Sequence, residues 1–140
     1  MKIYTSRFSY RVPEEYIAVG IAVGKPRWAL PYKCEHLSML APHGLFKKYQ
    51  GEEFKRRYMD RLEELGEKKI RTALEAISKR NQNKDVVLLC WENLAKGLVC
   101  HRRYFADWWK ATTGEEVEEL EQMTQRSTVR KAQMLQLTLF

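Results

Sequence analysis

The run YIAVGIAV at residues 16–23 constrains the fold more than any other stretch of the chain. It holds no charged side chain. A half-solvated strand alternates polar with apolar positions, whereas an unbroken apolar run of this length points to a central strand covered on both faces, as in a parallel sheet. Gly20, inside the run, leaves room for close approach by a neighbouring backbone. Parallel strands need long crossover connections, so the rest of the chain has to supply them.

The remaining segments fit that demand. Residues 2–6 (KIYTS) read as a first strand and residues 86–89 (VVLL) as another buried one, after a turn at NQNK, residues 81–84. Residues 52–65 place Phe54, Tyr58, Leu62 and Leu65 on one helical stripe, ringed by Lys55, Arg56, Arg57 and Arg61 as a solvated face. Gly66 fits the helix end. Residues 67–80 repeat the pattern with Ile70, Ala73, Leu74 and Ile77. Residues 100–111 form the next predicted helix, packing through Phe105, Trp108 and Trp109, and residues 115–120 a short edge strand. Strands alternating with helices predict a three-layer α/β domain with a mostly parallel central sheet flanked by helices. We expect one such domain over residues 1–121 and a flexible tail over residues 122–140.

Composition narrows the class of protein. A chain of 140 residues, 44% hydrophobic and 31% charged, has the balance of one soluble globular domain. No apolar run is long enough to span a bilayer, and no signal-peptide layout precedes the first strand. Three cysteines is an odd count that gives no disulfide framework, so a reducing cytoplasm is the expected compartment. The formal charge of +7 is a modest bias toward polyanions such as nucleic acid or nucleotides. Glu115, Glu116, Glu118, Glu119 and Glu121 cluster near one end, which leaves the rest more basic than the total suggests.

The chemistry-bearing residues gather after the strand at residues 86–89. Cys90, Trp91, Glu92 and Asn93 follow it directly, and Cys100, His101 and Arg102 open the next helix. Ser6, Arg7 and Cys90 belong at the carboxyl ends of parallel strands, where such sheets collect their ligands. A helix start offers free N–H groups and the positive end of a dipole, which lower a thiol pKa and also cradle anions. Glu92 offers a carboxylate for proton transfer, and Trp91 an apolar wall or a stacking surface for a base.

Three chemistries fit these residues. Cys100 is a nucleophile with Glu92 or His101 as base; or the site binds a phosphate-bearing ligand and its cysteines are incidental; or Cys90 and Cys100 are a redox or metal pair. Their nine-residue interval matches no common zinc spacing, so the third is the weakest and no metal is expected. A plain alternative has both cysteines as small buried residues and Arg102 in a structural salt bridge. The proline-punctuated stretch at residues 24–46 reads as mainly loop, and Cys34 and His36 within it lack a matching second ligand pair.

The order VVLLCWEN, then CHR, then ADWW resembles the family known as domain of unknown function 488. Its hallmark is a hydrophobic strand, a Cys-x-Glu, a short loop and a Cys-His-Arg opening a helix, here Cys90, Glu92, Cys100, His101 and Arg102. The opening IYTSRFS and the later LAPHGLFKKYQG are similar to one branch of it. The resemblance implies an α/β fold with a site at these motifs and no established reaction or cofactor. The loop WENLAKGLV is longer than the pattern expects.

The last five residues, Gln136, Leu137, Thr138, Leu139 and Phe140, resemble the bacterial sliding-clamp-binding motif, with Thr138 where Ser or Asp is usual. Leu137, Leu139 and Phe140 suit apolar pockets, and the Gln136 amide suits a polar rim. The polar stretch before them reads as a tether. A final strand is the competing reading of LQLTLF. The resemblance implies an enzyme-like domain acting on DNA, nucleotides or their modifications, moored to the clamp in a bacterium or bacteriophage. Its rival is a non-catalytic binder that occupies the clamp groove and redirects or blocks host replication.

Overall fold

The structure is a computed structural model that describes residues 1–91, 100–123, 130 and 132–134. Five strands run β1 (Ile3–Arg7), β2 (Tyr16–Gly20), β3 (Cys34–His36), β4 (Asp85–Cys90) and β5 (Glu118–Glu119). The helices α1 (Gly51–Leu65), α2 (Glu67–Arg80) and α3 (His101–Thr113) lie between the strands among the described residues. Every strand pair is parallel and the sheet order is β3-β2-β4-β1-β5. This is the predicted α/β architecture, a parallel sheet flanked by helices. No described helix is long and apolar enough to cross a membrane.

Alternation along the strands sorts the core into two clusters. Ile3, Ile17, Val19, Val86 and Leu88 pack with Tyr58 and Leu62 of α1, Ile70, Leu74 and Ile77 of α2, and Phe105 and Trp109 of α3. Their neighbours in sequence, Ala18, Val87 and Leu89, pack instead with Phe8, Val12, Leu30, Tyr32 and Leu120 from connecting segments. Period-two geometry sends successive side chains to opposite faces, so both faces of β2 and β4 are covered and neither strand has room for polar alternation.

The connections follow from that division. The chain moves one way along the sheet, β1 to β2 to β3, through segments packed on the second cluster. It moves the other way, β3 to β4 to β5, through helices packed on the first. Opposite directions on opposite faces give every crossover the same hand, as parallel sheets require. The helix α3 that follows β4 therefore packs on one face while the chains leaving its neighbours β1 and β2 depart toward the other. That divergence opens a crevice at the carboxyl ends of these strands, the usual ligand position in open α/β sheets.

Two local devices set the helices. Gly66 adopts φ 86° and serves as both the C-cap of α1 and the N-cap of α2, so the chain turns between them within one residue. Gly114 closes α3 in the left-handed conformation at φ 80°. The segment at residues 24–46 departs from the expected loop in one respect. Cys34–His36 pairs with β2 as an edge strand, and a 3-10 turn follows at Ser38–Leu40. Three residues carry no readable period; the pairing comes from β2, not from local preference. Residues 120–123, 130 and 132–134 are helical; the rest of the expected tail lies outside the described residues.

Candidate functional site

β4 ends at Cys90, whose register partner across the ladder is Arg7 of β1. Cys100 is the N-cap of α3, in extended backbone at φ −122° and ψ 146°. The strand end and the helix start meet sulfur to sulfur: Cys90 and Cys100 form a disulfide with their Cα atoms 7.2 Å apart. Both are buried. The two cysteines that the sequence could not place relative to each other are thus direct neighbours.

His101 follows on the first turn of α3, and its environment fixes its proton. Nε2 lies 2.7 Å from the carbonyl oxygen of Ile21, just past the end of β2. A carbonyl can only accept, so Nε2 carries the hydrogen and Nδ1 presents its lone pair. Nδ1 lies 3.7 Å from Cys100 Sγ. The ring also meets Tyr58 edge-on at 5.3 Å. Burial pushes the imidazole pKa down to about 4, with nearby Arg102 adding to the effect and the Ile21 hydrogen bond opposing it. At neutral pH the ring is uncharged: a fixed lone-pair donor and a feeble base.

Arg102 has 0% exposure and is fully engaged. Nε donates to Glu119 Oε1 at 3.0 Å and Nη2 to Oε2 at 2.8 Å, while Nη1 donates to Cys90 Sγ at 3.0 Å. Thr5 Oγ1 donates to the same Glu119 at 2.7 Å, and Arg103 Nη1 donates to Thr5 Oγ1 at 2.9 Å. The buried guanidinium does not face a ligand. It holds the Cys90 sulfur in place and ties the end of β4 to α3. This is the structural salt bridge that the sequence offered as the plain alternative to an anion-binding role for Arg102.

The other expected residues divide. Arg7 forms a two-point pair with Glu121 at 2.9 and 2.8 Å and anchors the segment after β5. It does not point into the crevice. Ser6 is buried, and its hydroxyl has no partner among the described residues. Trp91 is 42% exposed and stands against Phe8 at 4.8 Å and Trp28 at 5.6 Å. Glu92 and the residues Gln136, Leu137, Thr138, Leu139 and Phe140 lie outside the described residues.

A cavity of about 510 Å³ opens in the crevice, lined by Ala22, Phe46, Phe54, Trp91, His101 and Tyr104 among others. Its wall is mostly apolar, and His101 is the titratable imidazole that borders it. A second cavity, of about 430 Å³, lies beside β3 and is lined by Phe8, Trp28, Tyr32, Cys34 and His36. Among the described residues, Cys90, Cys100 and His101 form a group able to hold a metal ion, their donor atoms all within 4.8 Å of one another.

Sequence reasoning missed Glu119 and the aromatic cavity wall of Phe54 and Tyr104. Glu119 is one of five nearby glutamates, and only its pairing with β1 buries it against Arg102. The wall residues carry a readable helical stripe, but nothing in a stripe says which of its members border a cavity.

A family model, Domain of unknown function DUF488, matches residues 27–109. The match contains Cys34, Cys90, Cys100, His101 and Arg102, and leaves out β1, β2 and Glu119. No curated protein and no solved structure matches the chain.

Proposed function

The chain belongs to the domain of unknown function 488 family, and from that premise we propose an enzyme-like α/β protein acting in DNA or nucleotide metabolism, moored to the bacterial sliding clamp. Cys100 and His101 form the reactive end of the site. Cys90 and Arg102 hold it in place, and Glu92 supplies the carboxylate for proton transfer. Trp91 is the flat apolar surface on which a base stacks. Gln136, Leu137, Thr138, Leu139 and Phe140 form the docking peptide, on the strength of their match to the clamp-binding motif.

The observation that carries the reading is the convergence of Cys90, Cys100 and His101 beside an apolar cavity, at the point where the strand connections diverge. A second reading has its own support. Cys100 is 2% exposed and Arg102 is spoken for, which favours a non-catalytic binder of the clamp groove.

One set of variants separates the two. The intact chain is captured by immobilised clamp, and the chain lacking residues 136–140 is not. Cys100→Ser and Glu92→Gln abolish the effect of an enzyme and leave that of a blocker intact. Loss of residues 136–140 disables a blocker outright, whereas an enzyme keeps its turnover on free substrate. Equal capture of the intact and shortened chains removes the clamp from the proposal.

A further inference from the structure

We infer that Cys90, Cys100 and His101 of the reduced chain form a binding site for a thiophilic divalent cation, zinc foremost. The inference shares its location with the proposed function and deepens it. It does not depend on turnover or on clamp docking.

The donor set carries the argument. Two sulfurs and one imidazole nitrogen lie within 4.8 Å of one another, all on buried residues. Thiolate and imidazole donors together select zinc over the hard, oxygen-seeking cations. His101 Nδ1 and Cys100 Sγ are 3.7 Å apart. Nitrogen and sulfur ligands on one tetrahedral zinc are separated by roughly 3.5 Å, given their usual bond lengths. The Cys90 and Cys100 Cα atoms, at 7.2 Å, are farther apart than the about 4.4–6.8 Å that disulfides usually hold. That spacing lets the sulfurs part to the roughly 3.8 Å that two thiolates take on such an ion.

The surroundings match as well. A metal-binding histidine usually donates its other ring N–H to a carboxylate or carbonyl, which fixes the ring and aims the free lone pair. Ile21 does this for His101. Arg102 does the equivalent for Cys90, with an N–H on the sulfur. The charges also close. Arg102 and Glu119 neutralise each other inside the protein. Without a cation the two buried cysteines stay neutral as thiols or pair as a disulfide; a dication is what lets both ionise in this interior. Binding exchanges thiol protons for the cation; starting from the disulfide, a dithiol first supplies two electrons and two protons and leaves as its own disulfide, or a phosphine supplies the two electrons, water the two protons, and the phosphine leaves as its oxide.

The sequence concealed this site because its ligands come from a strand end and a helix start. The interval between the cysteines is set by the loop that joins those elements, so it matches no short zinc motif. His101 is adjacent to Cys100 in sequence, yet its lone pair is aimed by a carbonyl from β2.

The test is metal content. Full-length protein, reduced with a phosphine, is titrated with zinc and read by elemental analysis. Parallel samples take cobalt, whose sulfur-to-metal charge-transfer absorption reports thiolate ligation. The wild type and Cys34→Ser bind one equivalent per chain and show the thiolate band. Cys90→Ser, Cys100→Ser and His101→Ala weaken binding at least tenfold. The cobalt spectrum of the wild type needs no variant and stands even if His101→Ala fails to fold. Failure of the reduced wild type to bind zinc or to show the cobalt–thiolate band overturns the inference. So does equal loss in Cys34→Ser, or a Cys90–Cys100 bond that resists the phosphine in the native chain. Failure of clamp capture leaves these readings unchanged, and the reverse also holds.

Discussion

Two cysteine–histidine pairs stand at the carboxyl end of β2, and they do opposite things with the same residue types. Cys34 and His36 lie on the edge strand β3, half-buried, beside the second cavity. Cys34 Sγ lies 3.2 Å from the neighbouring Glu35 carbonyl, and burial pushes its thiol pKa up against a backbone hydrogen bond from Gly20. Cys100 and His101 start a helix packed into the main core, next to a second cysteine and a buried arginine. The difference teaches that a cysteine and a histidine close in sequence form one cluster with other donors only where other elements aim them. His101 is aimed by Ile21 and braced by Tyr58; His36 has a glycine, Gly20, where a brace would stand.

The sharpest way to break the comparison is thiol reactivity. In reduced, chelator-treated native protein, Cys34 should be alkylated faster than Cys90 and Cys100 by roughly 10³-fold or more, since the latter pair reacts only through opening of the fold. Peptide mass mapping against time measures this, and comparable rates at all three cysteines would undo the contrast.

Charge pairing comes next. Arg102→Met leaves Glu119 buried beside Thr5 with its cation gone, at a cost of about 3–5 kcal/mol in denaturant unfolding. Arg80→Met, which removes the partner of Glu35 beside the other pair, lowers stability far less because water screens that contact.

Acid sensitivity is a smaller effect. In the unfolded chain a histidine takes up its proton near pH 6.5, but the buried ring of His101 does so only at about 4. Between those values the unfolded state binds more protons. Stability of the metal-free chain is therefore full above pH 6.5 and falls as the pH drops through that window, by about 3 kcal/mol in all. His36 is shifted in the same direction by its partial burial, then by Lys25 and His43. Unfolding curves across this range should flatten in His101→Gln and keep most of their slope in His36→Gln.

The smallest effect belongs to Gly20→Ala, between the two pairs. An added Cβ meets His36 Nδ1 at 3.1 Å and the Phe8 ring at 3.3 Å. His36 and Phe8 give way by tenths of an ångström, and stability falls by about 1 kcal/mol. Zinc affinity at Cys90, Cys100 and His101 stays unchanged; a parallel loss there would show the two regions to be coupled.

Much of the architecture was legible because it follows from periodicity along the chain. The apolar runs at residues 16–23 and 86–89 became β2 and β4, and the stripes of Tyr58 with Leu62 and of Ile70, Leu74 and Ile77 became the inner faces of α1 and α2. The site was legible in part. The residue types at the strand end and the helix start were readable, but that Cys90 meets Cys100 and His101, that Arg102 pairs with Glu119 and that Arg7 pairs with Glu121 were not. A sequence records that an arginine is present, not whether its partner is a ligand or a carboxylate more than a dozen residues away.

What the sequence determined by itself is the parallel sheet: side-chain hydrophobicity and its period are local properties, and they suffice to say which segments must be covered on both faces. What only tertiary structure decided is the division of labour among polar residues. Contact between β4 and α3 joined Cys90 to Cys100, pairing of β5 with β1 buried Glu119 against Arg102, and the end of β2 set the His101 proton. Each depends on groups far apart along the chain, where hydrogen-bond and charge energies are fixed by a geometry that no local pattern encodes.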